Sequence, residues 1–376
     1  MFLAWRELSF ARGRFALMGS VVALIGLLMV LLSGLSVGLV NDGVSGLQKL
    51  PVSSFAFQSE VDKTSAFSRS VVDVDVAQQW ADRDGVAEAT PFGNTLVNTT
   101  TDDDVDIDLA LFGVEPGSWL APEATTGAAL AGPGEIVLAG TLQDEGVAVG
   151  DVVTVDQIGT ELEVVGFLDG QHTYGHVDVG YVDLTTWQEV RAGVRPGEPV
   201  PDHVHDDATA VAVRFADGAD VDLAAADAAL GTTSMTLEQS FGASPGYTAE
   251  ISTLQMIQWF LYVISALVVG AFFTVVTIQR RHEIAVLRAV GASTRYLLRD
   301  SLTQSAVLLV GSTVVGVGAG LLLGAGISSS PMPFALEAAP VAAAAAPLVV
   351  LGMIGAAIAV LRITRVDPLT ALGGYR

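Results

Sequence analysis

Cysteine is absent from these 376 residues, and lysine occurs only at Lys49 and Lys63. The first absence excludes disulfides and thiolate metal sites, so the fold must be held by packing. The second excludes the phosphate-cradling loop of a nucleotide hydrolase, G-x-x-x-x-G-K-[ST], because neither lysine follows a glycine. Charge is scarce as well: 16% of the residues are charged and 51% are hydrophobic. That balance is too apolar for an ordinary soluble protein and too charged for one lying wholly in a membrane.

Two materials must therefore be segregated along the chain. Four apolar runs, 15–40, 254–278, 302–327 and 340–361, each exceed the roughly 20 helical residues that cross a hydrocarbon core. The first is too long for a signal-peptide core and no convincing small-x-small cleavage site closes it, so it reads as a retained anchor. Eleven of the 18 basic residues flank span ends on one side: Arg6, Arg12, Arg14, Arg280, Arg281, Arg288, Arg295, Arg299, Arg362, Arg365 and Arg376. The positive-inside tendency makes that side the cytoplasm, with both termini on it. The large insert between the first two spans holds seven basic residues against 36 acidic ones, and lies outside. No nucleic-acid partner is expected.

The expected fold is an α-helical membrane protein of four transmembrane helices, with a mixed α+β extracytoplasmic domain inserted between the first and second. Its parts are an interfacial helix over 1–14 with Phe2, Trp5 and Leu8 on one face, spans at 15–40, 254–278, 302–327 and 340–361, an external domain at 41–253, a cytoplasmic segment at 279–301, an outer loop at 328–339 bounded by Pro331, Pro333 and Pro340, and a tail at 362–376. Within the insert, alternation predicts strands over 70–77, 107–114 and 136–139, and helices over 77–83 and 223–230. Gly134 to Gly166 reads as a compact β-unit, turning at Gly150–Asp151 and again at Gly159. Small residues line the first span (Gly19, Gly26, Ser33, Gly34, Gly38) and the third (Gly316, Gly320, Gly324), where another helix can approach closely.

The segment organising the chain is the cytoplasmic elbow, TIQRRHEIAVLRAVGASTRYLLRDS. As a helix it sets Ile284 and Leu287 beside a stripe of Arg281, Arg288 and Arg295, with Gly291 as the left-handed residue that ends it. Arginines among inner-leaflet phosphates explain such a stripe; so does a lever pushed by a cytosolic partner. Arg281, Glu283, Ile284, Leu287, Arg288, Ala289, Gly291 and Ala292 resemble the R-x-E-I-x-x-L-R-A-x-G-A signature of MacB/FtsX-type ABC transporter permeases. The Gly150–Asp151 turn with its following hairpin, and the ending from Asp367, D-P-L-T-A-L, are similar to that family too. The resemblance implies a coupling helix in which Arg281, Glu283, Leu287, Arg288 and Gly291 dock on a separate cytoplasmic ATP-binding cassette subunit. It further implies a homodimer paired through the small-residue faces, and no catalysis by the chain itself.

Several groups could carry chemistry. The run Asp102, Asp103, Asp104, Asp106 and Asp108 lacks full calcium-loop spacing and reads as a solvated loop and strand edge. His172, Tyr174 and His176 share one glycine-flanked loop and His203 and His205 another; each is either an ordinary loop group or a ligand for metal or haem. Met29 is core filler or a cargo ligand in the outward half of the first span. Glu250 is a helix-start acid or part of a cargo entrance beside the second span. Together they would offer a thioether and a carboxylate near the outer leaflet, and thioether ligates haem iron. Family members include HrtB-type haem exporters, lipoprotein releasers and antibiotic or peptide exporters, which makes haem or another amphipathic molecule the expected cargo, with lipid around the spans. The FtsX branch offers an alternative: a signalling subunit that activates an external cell-wall hydrolase.

Overall fold

The computed structural model describes residues 12–279, 286, 290, 291, 293–330 and 332–364. The interfacial face of Phe2, Trp5 and Leu8, the elbow residues Arg281, Glu283, Leu287 and Arg288, Pro331, and the tail from residue 365 lie outside these. The chain forms two compact units, one of Met1–Leu39 with Ile251–Arg376, the other of Val40–Glu250.

Four helices, Arg12–Gln48, Tyr247–Gln279, Thr294–Ile327 and Ala338–Thr364, supply the membrane unit. Their stretches Phe15–Gln48, Tyr247–Val276, Leu298–Ile327 and Ala338–Ala359 are long and apolar enough to cross a bilayer. Glycine sets how closely they pack. A Cβ on Gly316 would lie 2.1 Å from the Ala23 carbonyl oxygen, and one on Gly320 2.7 Å from Val30 Cβ, so the third span touches the first backbone to backbone. On Gly355 it would lie 2.5 Å from the Ala266 carbonyl oxygen, which joins the fourth span to the second. Gly34 and Gly38 admit Phe334 and Pro333 of the outer loop, where Ala335 N–H donates to the Gly34 carbonyl at 3.1 Å.

These contacts correct one expectation. The glycine faces of the first and third spans do not stand free to pair two copies; they are spent inside one chain, because a backbone without side chains offers close approach to whichever helix reaches it first. Pro340, the first residue of the fourth span as read from the sequence, falls within a helix that starts two residues earlier, at Ala338. It lies in the first turn, where its missing N–H costs no intrahelical bond.

The external unit is built on strands β1 (Ser54–Gln58), β2 (Val72–Asp73), β3 (Val86–Thr101), β4 (Asp106–Val114), β5 (Thr126–Gly127), β6 (Glu135–Leu138), β7 (Val152–Val155), β8 (Thr160–Phe167), β9 (Thr173–Tyr174), β10 (Val177–Asp183), β11 (Asp207–Ala208), β12 (Ala210–Phe215) and β13 (Thr232–Thr236). Eleven form one mixed sheet in the order β13-β1-β12-β3-β4-β10-β6-β8-β5, with β7 against β3 and β8, and β9 against β10. The 16-residue β3 is its spine: Val86 to Phe92 pair with β12, and Gly93 to Thr100 with β4. The β7–β8 hairpin, turning at Gly159 with φ +75°, is the compact β-unit read from the sequence.

Side chains alternate across strands, so one sheet can serve different cores on its two faces. Phe55, Phe57, Phe92, Phe112 and Tyr181 face one core with Phe67 and Tyr174. On the reverse, Ala56, Val211 and Val213 pack with Trp80 of helix Val76–Ala81 and Ala226 of helix Leu223–Leu230. Farther along, Leu109, Leu111, Ile136 and Val164 pack with Trp187 of helix Leu184–Ala192. Gly93 and Gly113 make room for the Trp187 side chain, since a Cβ on either would meet it at 2.2 or 2.5 Å. Asp183 caps the helix by accepting from Thr185 N–H and Thr186 N–H.

The strand expected over 70–77 is only the short β2. Asp73 Oδ1 accepts from Asp75 N–H at 2.8 Å, turning the chain into helix Val76–Ala81. Alternating valine and aspartate suit a strand, but aspartate's local bonding to backbone suits a turn equally well.

Candidate functional site

The last turns of the first long helix, from Val40 onward, belong to the external unit and are held within it in two ways. Val44 and Leu47 are fully buried in the aromatic core, where each contributes about 1.5–3 kcal/mol. Opposite them lies the hairpin of β9 and β10, whose two-residue turn is Gly175 and His176, at φ +60° and +69°. Positive φ at both central residues is the type I′ geometry that suits strand twist, and histidine accepts it better than most side chains.

The segment leading into this hairpin runs along the helix as a strap. Lys49 Nζ donates to the carbonyls of Asp169 and Gln171 at 3.2 and 2.8 Å. Gln171 Nε2 donates to Asp42 Oδ1 at 3.2 Å. Thr173 N–H donates to Ser45 Oγ at 3.0 Å, and Thr173 Oγ1 to the Asn41 carbonyl at 3.0 Å. Gly175 N–H donates to the Gly43 carbonyl at 2.9 Å. Gly46 permits the approach, since a Cβ there would meet Val179 Cγ2 at 2.8 Å and the Thr173 carbonyl oxygen at 3.0 Å.

His176 at the tip reaches both long helices. Nδ1 lies 2.8 Å from Asp42 Oδ2, and Nε2 lies 3.1 Å from Glu250 Oε1. Glu250 is in the first turn of Tyr247–Gln279, its N–H bonded to the Gly246 carbonyl. Burial by itself lowers the His176 pKa, but the Asp42 hydrogen bond and the two carboxylate charges outweigh it and raise it above 6.5. His172, four residues earlier, goes the other way: burial and the Lys49 charge pull it down to about 4 against the opposing Asp169, and its buried Nδ1 has no hydrogen-bond partner. The strap and its hairpin thus carry two histidines shifted in opposite directions, His172 toward the neutral form and His176 toward the protonated one. Tyr174 is buried in the aromatic core, which pushes its hydroxyl pKa up.

The other sequence candidates separate. Met29 is fully buried in the membrane unit with Ile25, Tyr262, Ala344 and Leu348. Tyr262 Oη donates to the Ala344 carbonyl at 3.0 Å and also lines a groove of about 590 Å³ between the second and fourth spans, with Trp259, Leu267, Leu351 and Ile354. In the elbow, Val290 N–H donates to the Val286 carbonyl, Gly291 follows at φ +106°, and Ser293 caps the next helix by accepting from Tyr296 N–H. His205 Nε2 lies 3.2 Å from Glu189 Oε1, away from the strap's histidines in sequence and in partner. Asp102, Asp103 and Asp104 are exposed in the turn between β3 and β4. Among the described residues no group of three histidine, aspartate or glutamate side chains is placed to hold a metal ion.

Sequence reasoning singled out Glu250 and His176 but missed their meeting through Asp42, 208 residues before Glu250 in the chain. The available signals were Gly175–His176 as a hairpin dipeptide and acids immediately beyond the first span and before the second.

Comparison with known proteins bears on the whole chain. The MacB-like periplasmic core domain matches residues 18–229, and the FtsX-like permease C-terminal domain matches residues 256–368. A putative hemin transport system permease protein HrtB from Staphylococcus haemolyticus is 25% identical over 375 residues, covering 100% of this chain and 99% of the relative. An uncharacterized ABC transporter permease from Mycobacterium bovis is 27% identical over 124 residues, 33% of this chain and 35% of the relative. The periplasmic region of MacB from Actinobacillus actinomycetemcomitans aligns with a TM-score of 0.37 at 10% identity, covering 51% of this chain and 92% of that structure. The first model runs from within the first span through most of the α+β domain, the second takes the spans that follow it, and the chain belongs to the MacB/FtsX family of ABC transporter permeases.

Proposed function

We propose that this chain is the permease subunit of an ATP-driven transporter of the MacB type, working by mechanotransmission to move an amphipathic or lipophilic molecule such as haem from the membrane to the outside. The observation that carries this is the pair of helices bracketing the external domain. Arg12–Gln48 and Tyr247–Gln279 have 37 and 33 residues, about 55 and 50 Å at 1.5 Å per residue. A hydrocarbon core is about 30 Å thick. Such helices are long enough to carry displacement from the cytoplasmic elbow to the exterior. ATP is bound and hydrolysed by a separate cassette subunit against which Arg281, Glu283, Leu287, Arg288 and Gly291 dock, and two copies of each subunit make the working assembly.

Similarity over the full chain to permeases named for hemin transport supports haem as cargo. So does the apolar groove between the second and fourth spans, of a size that suits a small-molecule ligand. In this reading Tyr262 is the wall between groove and Met29, whose thioether meets cargo once that wall moves, and Glu250 supplies an anionic contact outside.

Two measurements on the detergent-purified full chain test the proposal. An ATP-binding subunit should copurify with it and be lost on charge reversal at Glu283 and Arg288; failure to capture one removes the transporter reading. Haem titration should shift the Soret band, and the shift should be lost in Met29→Leu or Glu250→Gln; an unchanged band removes haem while leaving the permease. Recovery of an external cell-wall hydrolase, without cargo-stimulated ATP hydrolysis, would favour the alternative reading of a signalling subunit.

A further inference from the structure

The arrangement around His176 cannot be satisfied by a neutral ring. A neutral imidazole has one N–H and one lone pair, whereas an ionised carboxylate only accepts. Both ring nitrogens here face carboxylate oxygens, at 2.8 Å from Asp42 and 3.1 Å from Glu250. With one proton, whichever carboxylate faces the lone pair is repelled; with two, both contacts are charge-assisted hydrogen bonds. The ring also has little freedom to turn elsewhere, since it sits at a type I′ tip whose strap is bonded to the first helix at Asn41, Gly43 and Ser45.

We propose that His176 is a proton-operated clasp between the external ends of the first and second long helices, closed when both ring nitrogens carry protons and released from one helix when a proton is lost. The clasp positions Glu250 while closed and frees it when open. This does not depend on what the cargo is, nor on the identity of the motor subunit.

The surrounding charges support the closed form near neutral pH. Asp42 faces the ring from the first helix and Glu250 from the second, with the Tyr247 ring beside Gly43. On β10, Asp178 is raised in pKa, first by burial and then by the charges of Glu145 and Asp42, while the Thr141 hydroxyl bond opposes the shift. The nearest cation along the strap, Lys49, is engaged at its far end by the Asp169 and Gln171 carbonyls, close to the neutral His172. No neighbouring cation thus competes with His176 for Asp42 or Glu250 among the described residues. The sign follows from the raised pKa: the clasp's contribution is complete below about pH 6.5 and is lost as pH climbs through the elevated value.

The natural absence of cysteine makes the test clean. Gln48→Cys and Thr248→Cys, both exposed positions on the two helices, are spin-labelled in the full chain in lipid nanodiscs and their separation is measured at about pH 5 and about pH 9, spanning the imidazole range. A narrow distance distribution at the acid end that becomes about twice as broad, or shifts, at the alkaline end is expected. His176→Asn, which tolerates the positive φ, should give the open distribution at both. An unchanged wild-type distribution, or a pH response retained in His176→Asn, overturns the proposal. Histidine ¹⁵N spectra of the unlabelled chain give a second reading that does not rely on the variant folding. Both His176 nitrogens should be protonated at neutral pH, with the midpoint falling by about one unit in Asp42→Asn or Glu250→Gln; a neutral ring at that pH overturns it.

Discussion

The membrane unit and the external unit solve the same packing problem with opposite materials. Outside, large rings interlock edge to face: Phe112 lies 5.0 Å from Phe92, 5.9 Å from Tyr174 and 5.5 Å from Tyr181, centroid to centroid. In the spans the closest approaches are made by Gly316, Gly320, Gly352 and Gly355, against a carbonyl or an aliphatic side chain of the next helix. Water rewards burial of area, so the external unit accumulates big apolar side chains. Lipid tails are as apolar as leucine and give no such reward, so the spans gain by close fit instead. The same difference appears in what stays outermost: Trp259, Phe260, Val263 and Leu267 are exposed along the second span, which suits contact with lipid.

Three substitutions break or sharpen that contrast. Gly316→Val has the largest expected effect, because its Cβ would overlap the Ala23 carbonyl and backbone cannot yield as a side chain does. The first and third spans should fail to close, costing roughly 5 kcal/mol or more, read as loss of folded monomer in detergent; a normal yield and melting temperature would show that glycine is dispensable there. Phe112→Ala should cost about 3–5 kcal/mol, read as a lowered urea midpoint for the external unit with the helical signal of the spans retained. If both transitions move together, the units do not unfold separately. Met29→Leu, a volume-conserving change within Ile25, Tyr262, Ala344 and Leu348, should cost less than about 1.5 kcal/mol. Combined with a lost Soret shift, that small cost would separate the thioether's chemistry from its packing; a large loss of stability would instead mark Met29 as structural.

How much of this was legible in the sequence depended on the range of the interaction. Leu223–Leu230 is a helix as its local pattern indicates, with Asp222 capping one end and Gly231, at φ +66°, closing the other. Val72 and Asp73 misled, because alternation is a local signal that a single Asx turn at Asp73 cuts short. The glycines of the first and third spans were readable as faces for close approach, but not as faces for each other, since small residues specify proximity without specifying a partner. His176 was visible as a loop histidine. Its role was not, because Asp42 lies 134 residues before it and Glu250 74 residues after, and nothing in spacing over that distance indicates which side chains meet.

Family, orientation and the division between membrane and exterior are written in the order of residues alone, because hydrophobic length, arginine placement and the R-x-E-I-x-x-L-R elbow act through neighbours along the chain. Tertiary structure alone decided that one sheet serves three cores, that Gly316, Gly320 and Gly355 are consumed within the chain, and that a hairpin histidine joins two carboxylates. Those outcomes depend on which surfaces come within about 3 Å of each other, a condition that only the folded backbone imposes.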